Sequence, residues 1–150
     1  MSVDPSHLQS YTEYRGIEIP FLDHLKFRYQ PAGAGEPDGH LVLRVAREHL
    51  NGWNNAHGGV LMSLLDVAMA LASSHADEAG RGCVTVEMKT SFLRPGGDVG
   101  EVLEAFGLVR HRTRSIAFCE AEVRNAAGET VATASGTFKY QNKPRPVIDA

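Results

Sequence analysis

The middle of the chain combines a His-Gly-Gly sequence at 57–59 with a carboxylate, Asp66, nine residues after His57. Asp66 is the only ionisable side chain in the apolar stretch 58–74. A buried carboxylate is costly unless it is hydrogen-bonded, and a carboxylate held in such surroundings can act as a general base or a nucleophile. The structural alternative is that Asp66 caps neighbouring backbone or pairs across an interface.

The two glycines that follow His57 suggest a second chemical group. Glycine inside a helix costs about 1 kcal/mol relative to alanine, so Gly58 and Gly59 indicate that the backbone must approach something closely. The free N–H groups of a helix start carry partial positive charge. They suit an anion or the oxygen of a polarised carbonyl. The alternative is a tight turn in which His57 caps the helix.

These groups lie on the only long helix that the sequence predicts, from Gly58 to about Asp77. The stripe predicted to pack on a sheet follows helical spacing and consists of Leu61, Leu64, Leu65, Ala68 and Ala72. The opposite face contains Met62, Ser63, Asp66, Met69, Ala70 and Ser73. A helix without a charged face is usually buried all round. We therefore expect the sheet to wrap the helix or a second subunit to cover it.

Strand patterns flank the helix on both sides. Before it we predict a hairpin of 24–30 and 41–45 around a turn at 31–39, preceded by a loop or short turn of helix at 17–25. A polar loop at 49–56 leads into the helix. The four strands predicted after the helix are 83–93, 98–110, 115–125 and 130–140. Strands joined by hairpins around one helix predict an α+β fold with an antiparallel sheet.

The bulk properties favour one domain over residues 1–150, with an N-terminal arm at about 1–15 and a frayed tail at about 142–150. The net charge of −3 argues against a nucleic-acid binder. The N-terminus lacks the pattern of a signal peptide, and Asp66 within 58–74 argues against a membrane span. We expect a cytoplasmic protein in which Cys83 and Cys119 are reduced core residues.

Taken together, Asn51, the His57-Gly58-Gly59 sequence and Asp66 resemble the hotdog thioesterases of the phenylacetate-pathway type. Downstream, VTVEM at 84–88 and SFLRP at 91–95 look like the strand that follows the helix in that family. The segments 107–118, 121–123 and 128–138 look like its last three strands, so the resemblance covers residues 40–140.

The resemblance implies a curved antiparallel sheet around a central helix, in homodimers with a continuous sheet or in homotetramers. It implies hydrolysis of an acyl-CoA at sites on the dimer interface, with CoA as part of the substrate and no separate cofactor. Asp66 would be the nucleophile or general base, and the Gly58 N–H would polarise the thioester carbonyl. Asn51 would place the water or thioester, His57 would orient the loop or contact the thioester, and the Thr85 hydroxyl would assist the water.

The sequence departs from the family at one position. Some hotdog thioesterases carry a hydroxyl one helical turn after the carboxylate, where this chain has Ala70. That departure weakens the match to the aryl-CoA branch and leaves Thr85 as the hydroxyl. Thiols have a pKa of about 8.5, so a thiolate leaves without a strong acid and no metal is required. The seven histidines show no metal-binding spacing, which argues against a zinc site.

Positive charge is densest between two predicted strands, at 110–114. CoA carries three phosphates, which a local basic patch would bind. Arg112, Thr113 and Arg114 are the candidate contacts there, and Arg94 is a further one. The alternative is a solvated hairpin turn.

Three other functions stay open on the sequence: a non-catalytic module that binds acyl-CoA, a hotdog dehydratase or hydratase with a histidine base, and a purely structural dimer. The acyl group is open as well, between aryl, short-chain and medium-chain groups. Met62, Met69 and Phe92 are candidates either for an adaptable acyl pocket or for the ordinary core.

Overall fold

A computed structural model describes residues 3–10, 13, 16–31 and 39–146. They form one seven-stranded antiparallel sheet in the order β1-β2-β3-β5-β6-β7-β4. The strands are β1 (Gln9–Ser10), β2 (Arg28–Tyr29), β3 (His40–Arg44), β4 (Cys83–Phe92), β5 (Val102–Arg112), β6 (Ile116–Arg124) and β7 (Thr130–Tyr140). The α-helices are the short α1 (Pro20–His24) and the long α2 (Gly58–Ala76), and two short 3-10 helices span Pro5–His7 and Arg47–His49.

The sheet wraps α2, which contacts all five strands from β3 to β7. This arrangement confirms the predicted hotdog fold, and the predicted apolar stripe of α2 is buried throughout. The curved sheet also covers part of the opposite face, as expected for a helix without a charged face. Met69 and Ser73 are fully buried, and the Ser73 hydroxyl donates to the Met69 carbonyl 2.8 Å away.

The close packing of α2 on the sheet depends on glycine. A Cβ at Gly107 would lie only 2.2 Å from the carbonyl oxygen of Ala68. The Gly107 N–H donates to the Gly39 carbonyl at 2.9 Å. A Cβ at Gly39 would lie 2.6 Å from the carbonyl oxygen of Ala68. A side chain at either position would push the helix away from the sheet, and with it the residues on its outer face.

The prediction of a strand over residues 24–30 was wrong. Of the loop or short turn of helix predicted for 17–25, the structure has the helix, α1. Only Arg28 and Tyr29 pair as a strand. The reason is Lys26, whose φ of 61° reverses the chain after α1, while the Phe27 N–H donates to the Leu22 carbonyl. Most of the predicted turn at 31–39 lies outside the described residues.

The strand predicted over 98–110 starts later than expected, because residues 98–101 form a turn. The Glu101 N–H donates to the Asp98 carbonyl, and Gly100 has a φ of 92°. Strand β5 therefore begins at Val102 and runs to Arg112, with a bulge after Val109. The last predicted strand matches β7 at both ends.

Strand β4 lies at the edge of the sheet and pairs with β7 on one side only. Its apolar side chains are unusually open: Val84 is 49% exposed, Val86 57% and Phe92 51%, and Leu93 beyond its end is 56% exposed. A long, apolar edge strand with free backbone groups is a template for pairing with another chain.

By length and composition alone α2 could cross a membrane, but more than half of it is buried inside this fold.

Cys83 and Cys119 are free thiols against the core, as predicted. Burial raises the pKa of the Cys83 thiol to about 11, so this thiol is neutral at physiological pH.

Candidate active site

Asp66 and Thr85 are brought together by the packing of α2 beneath the edge strand β4. The Thr85 hydroxyl donates to the Asp66 carboxylate over 2.6 Å. Asp66 is half-buried on the face of α2 that the sheet leaves open. The hydrogen bond satisfies one carboxylate oxygen, and among the described residues no hydrogen bond engages the other, which is available to water or to a substrate.

A cavity of about 360 Å³ opens beside this pair. Its floor follows α2 from Ser63 through Asp66 and Ala70 to Ser74. The other lining residues are Ile19, Phe21, Leu22, Val67, Leu71, Cys83, Val84, Thr85 and Arg145. The size is typical of a pocket for a small organic group, and most of the lining is apolar.

At the start of α2, His57 acts as the helix cap. Its Nδ1 accepts the N–H of Gly59 at 2.8 Å, and its carbonyl accepts the N–H groups of Val60 and Leu61. The Gly58 N–H has no acceptor among the residues that the structure describes. A Cβ at Gly58 would lie 3.4 Å from the Phe92 ring, so this open donor lies next to the far end of β4.

Asn51 organises the loop that precedes His57. Its side-chain oxygen accepts the N–H groups of Trp53 at 2.8 Å and Asn55 at 3.1 Å. The loop turns sharply at Asn54, which has a φ of 58°. Asn51 therefore has a structural task within its own chain, and Trp53 is left 87% exposed at the tip of the loop.

The predicted catalytic residues fall into two separate groups within one chain. Gly58 and Asp66 are eight residues apart on α2, which is about 12 Å along the helix axis. Asp66 and Thr85 meet at the cavity, whereas Asn51, His57 and Gly58 lie at the helix start and line no part of it.

Arg112, a predicted phosphate contact, is held by an ion-pair network. Its guanidinium lies 3.4 Å from the Asp77 carboxylate and 3.3 Å from the Tyr140 hydroxyl. Arg81, which no sequence pattern indicated, binds the same carboxylate at 3.0 Å. The hydrogen bonds from Arg81 lower the pKa of Asp77 to about 2. The network fixes the β5–β6 hairpin to the end of α2.

The other predicted phosphate contacts differ in their surroundings. The Thr113 hydroxyl accepts the Ile116 N–H at 3.1 Å within the hairpin turn. No hydrogen bond or ion pair engages the Arg114 guanidinium within the described part of the chain. Arg94 lies at the opposite end of β7, where it donates to the Thr130 carbonyl at 2.6 Å. Strand β7 is 11 residues long, or roughly 33 Å, so Arg94 does not join the hairpin patch of its own chain.

The three candidates for an acyl pocket lie in different parts of the structure. Met69 is core, Met62 is exposed on α2, and Phe92 lies beside Gly58; none of the three lines the cavity beside Asp66. Within residues 3–10, 13, 16–31 and 39–146, no three His, Cys, Asp or Glu side chains are grouped as metal ligands.

Comparisons with known proteins agree with this architecture. Residues 54–132 match the family model of the Thioesterase superfamily. The chain is 34% identical over 96 residues to the acyl-coenzyme A thioesterase PaaI of Escherichia coli, an alignment that covers 64% of this chain and 66% of that protein.

Solved structures share the fold over most of the chain. The conserved protein PA5202 of Pseudomonas aeruginosa superposes with a TM-score of 0.72 at 30% identity, over 83% of this chain and 95% of its own. The protein smu.793 of Streptococcus mutans, solved bound to acetyl CoA, has a TM-score of 0.64 at 27% identity, over 71% of this chain and 85% of its own.

The helix wrapped by one antiparallel sheet, together with these matches, defines a hotdog-fold protein of the thioesterase type. The family match spans more than half of the chain, from the loop before His57 to the start of β7. The chain belongs to the Thioesterase superfamily.

Proposed function

We propose that this protein hydrolyses an acyl-CoA to a free acid and CoA. The observation that carries the proposal is the 2.6 Å hydrogen bond between Thr85 and Asp66 beside a largely apolar cavity. Two relatives support the substrate class: one is named an acyl-coenzyme A thioesterase, and another was solved bound to acetyl CoA.

Asp66 serves the reaction by one of two routes. As a general base it takes a proton from water while the water oxygen attacks the thioester carbonyl carbon. As a nucleophile its own oxygen attacks, and water then hydrolyses the acyl-aspartyl anhydride. In both routes the carbon–sulfur bond breaks, and CoA leaves as a thiolate that takes up a proton. Rapid-quench mass spectrometry separates the routes, because only the second adds the mass of the acyl group to the chain.

The oxyanion donor comes from a second subunit in our proposal. A donor must lie about 2.7–3.1 Å from the oxyanion, whereas Gly58 and Asp66 of one chain are about 12 Å apart along α2. One thioester therefore cannot use both groups of the same helix. A Gly58 N–H from a partner subunit removes this conflict.

The free edge of β4 provides the pairing that brings the two groups together. Thr85, next to Asp66, and Phe92, next to Gly58, lie near opposite ends of this strand. In an isologous pair of antiparallel β4 strands, the Phe92 end of one subunit lies beside the Thr85 end of the other. The two-fold axis then falls near Met88 and Lys89. Asn51 and His57 would reach the partner's site with Gly58.

We also propose that such dimers associate into homotetramers. The outer face of the sheet carries apolar side chains, among them Leu108 and Phe118, which are 38% and 43% exposed. A cavity of about 430 Å³ on this face is lined by Phe106 and Leu108 together with Glu120 and Glu122. An apolar centre with a charged rim is typical of protein interfaces.

The remaining parts of the proposal concern CoA and the cell. Arg114, Arg112 and Thr113 would contact the CoA phosphates, and Arg94 would join them from the partner subunit. CoA enters as part of the substrate, and the chemistry of Asp66 requires no separate cofactor. We propose a cytoplasmic location because the two free cysteines suit a reducing compartment.

The decisive experiment measures thiol release from aryl-, short-chain and medium-chain acyl-CoAs, with Asp66→Asn assayed beside the native protein. We expect turnover that falls by roughly 100-fold in the variant, and the preferred substrate names the acyl class. CoA esters that bind without being hydrolysed would instead show a non-catalytic module.

A further inference from the structure

The cavity beside Asp66 contains a positive charge that the proposed hydrolysis does not use. Arg145 lines this cavity together with Asp66 and Thr85. It follows Pro144 in the segment beyond β7, for which the sequence predicts a frayed tail. In the structure its guanidinium packs against the backbone of Gly82, just before β4, where an added Cβ would lie 2.9 Å from a guanidinium nitrogen.

The Arg145 guanidinium has no carboxylate within ion-pair distance among the residues described. This sets it apart from Arg81 and Arg112, which share Asp77. An arginine presents a planar set of donors that matches the two oxygens of a carboxylate. Its donors are therefore available to a bound molecule.

The surroundings of Arg145 suit the far end of a short acyl group. From Thr85 to Gly82 is three residues of chain, or about 10 Å if extended. Between them the cavity is lined by apolar groups such as Ala70 and Val84. Cys83, which also lines it, is a neutral thiol because burial raises its pKa to about 11, so it offers no competing anion.

We propose that Arg145 selects acyl groups that end in a carboxylate, so that the preferred substrates are CoA monothioesters of short dicarboxylic acids. The inference rests on the proposed thioesterase activity and adds its substrate class. The thioester lies at Asp66 and Thr85, the methylene chain follows the apolar lining along α2, and the distal carboxylate pairs with Arg145.

A CoA phosphate also carries anionic oxygens that an arginine binds, but the geometry favours the acyl carboxylate as the partner of Arg145. The phosphates are joined to the thioester through the long pantetheine arm, whereas the acyl chain starts at the thioester carbonyl itself. A cation in the same cavity as the catalytic carboxylate is therefore within the reach of a short acyl group.

The test compares adipoyl-CoA with hexanoyl-CoA, which have the same number of acyl carbons and differ in the terminal carboxylate. Both are assayed with the native protein, with Arg145→Gln and with Arg124→Gln, a control on the outer face of the sheet. We expect kcat/KM of the native protein to be about 10- to 100-fold higher for adipoyl-CoA. Arg145→Gln should abolish that preference and leave hexanoyl-CoA hydrolysis unchanged, whereas Arg124→Gln should keep the preference.

The same pair of acyl groups on N-acetylcysteamine, which has no phosphate, identifies the anion. An effect of Arg145→Gln that persists on these short thioesters supports the acyl carboxylate, and one that vanishes shows that Arg145 binds a CoA phosphate. Equal rates for adipoyl-CoA and hexanoyl-CoA with the native protein would overturn the inference while leaving the thioesterase intact. Turnover of neither ester, nor of any other acyl-CoA, would refute the proposed function itself.

Discussion

The Thr85 hydroxyl donates to the Asp66 carboxylate at 2.6 Å, and this bond joins the edge strand β4 to the central helix. It orients a carboxylate that the sheet leaves half-exposed. It also places the proposed chemistry on the strand that we expect to form the dimer, so that assembly and activity depend on the same element.

Removing the Thr85 hydroxyl should therefore lower activity without unfolding the protein. We expect Thr85→Val to reduce kcat by about 10-fold, since one hydrogen bond to a charged group contributes about 1.5 kcal/mol or more. Thr85→Ser, which keeps the hydroxyl, should retain most of the activity. Steady-state kinetics of the two variants on one acyl-CoA checks this, and equal rates for Val and Ser would remove the hydroxyl from the mechanism.

The proposed β4 pairing makes a prediction about distances between subunits. Lys89 lies near the expected two-fold axis, so Lys89→Cys should form an intermolecular disulfide on mild oxidation, for which the two Cα atoms must lie about 4.4–6.8 Å apart. Lys139→Cys, an exposed position on β7, is the matched control and should not cross-link.

Sedimentation should give a mass above the 16.3 kDa of one chain. A 16.3 kDa monomer that still hydrolyses acyl-CoA would contradict the shared site.

Arg114 is a sharper probe of the CoA patch than Arg112. Arg112 is engaged with Asp77 and Tyr140, so its removal would also disturb the fold. We expect Arg114→Ala to raise KM for CoA esters by about fivefold, the effect of roughly 1 kcal/mol from one exposed ion pair. KM for N-acetylcysteamine thioesters should not change, and a parallel rise for both substrates would argue against a phosphate contact.

The Asp77 network should contribute a pH-dependent part of the stability. The pKa of Asp77 is lowered from 3.8 to about 2 by hydrogen bonds from Arg81. A lowered pKa in the folded state means that the stabilisation is present above pH 3.8 and is lost as pH falls towards 2. At neutral pH, Asp77→Asn should lower the free energy of unfolding by about 2 kcal/mol, because two cations lose their counter-charge.

The measurement for Asp77 is the melting temperature of the native protein and of Asp77→Asn between pH 7 and pH 2. We expect a difference of about 5 °C at pH 7 that shrinks as the pH approaches 2. Glu78→Gln, an exposed neighbour, controls for the loss of a charge alone. A difference that is constant with pH would show that the carboxylate charge is not what stabilises the hairpin.

The local patterns of the sequence predicted the main elements well. Helical spacing located α2 and its buried stripe, and strand patterns located β4, β6 and β7, because both signals repeat over many residues. For β5 the pattern predicted a start at 98, four residues too early. The pattern failed at 24–30, where the backbone reversal at Lys26 leaves no trace in the alternation of apolar and polar residues. The burial of Met69 and Ser73 agrees with the expectation that the sheet wraps the helix.

Contacts between distant parts of the chain were the least predictable. Arg112 carried the right charge for a phosphate, but its pairing with Asp77 depends on how the β5–β6 hairpin meets the end of α2. Arg145 lies in a stretch with two prolines and no periodic pattern, and only the folded chain places it in the cavity of Asp66. The sequence therefore indicated Asp66 and Thr85 as groups that could act, whereas the positions of Arg81 and Arg145 depend on the folded chain.

The separation of Gly58 from Asp66 along α2 has a genetic consequence. In the proposed dimer each site takes its carboxylate from one polypeptide and its oxyanion donor, with Asn51, from the other. A cell that carries one allele defective in Asp66 and another defective in Asn51 would form mixed dimers in which both defects fall in the same site. The second site of such a dimer would be intact, so two inactive alleles would complement each other.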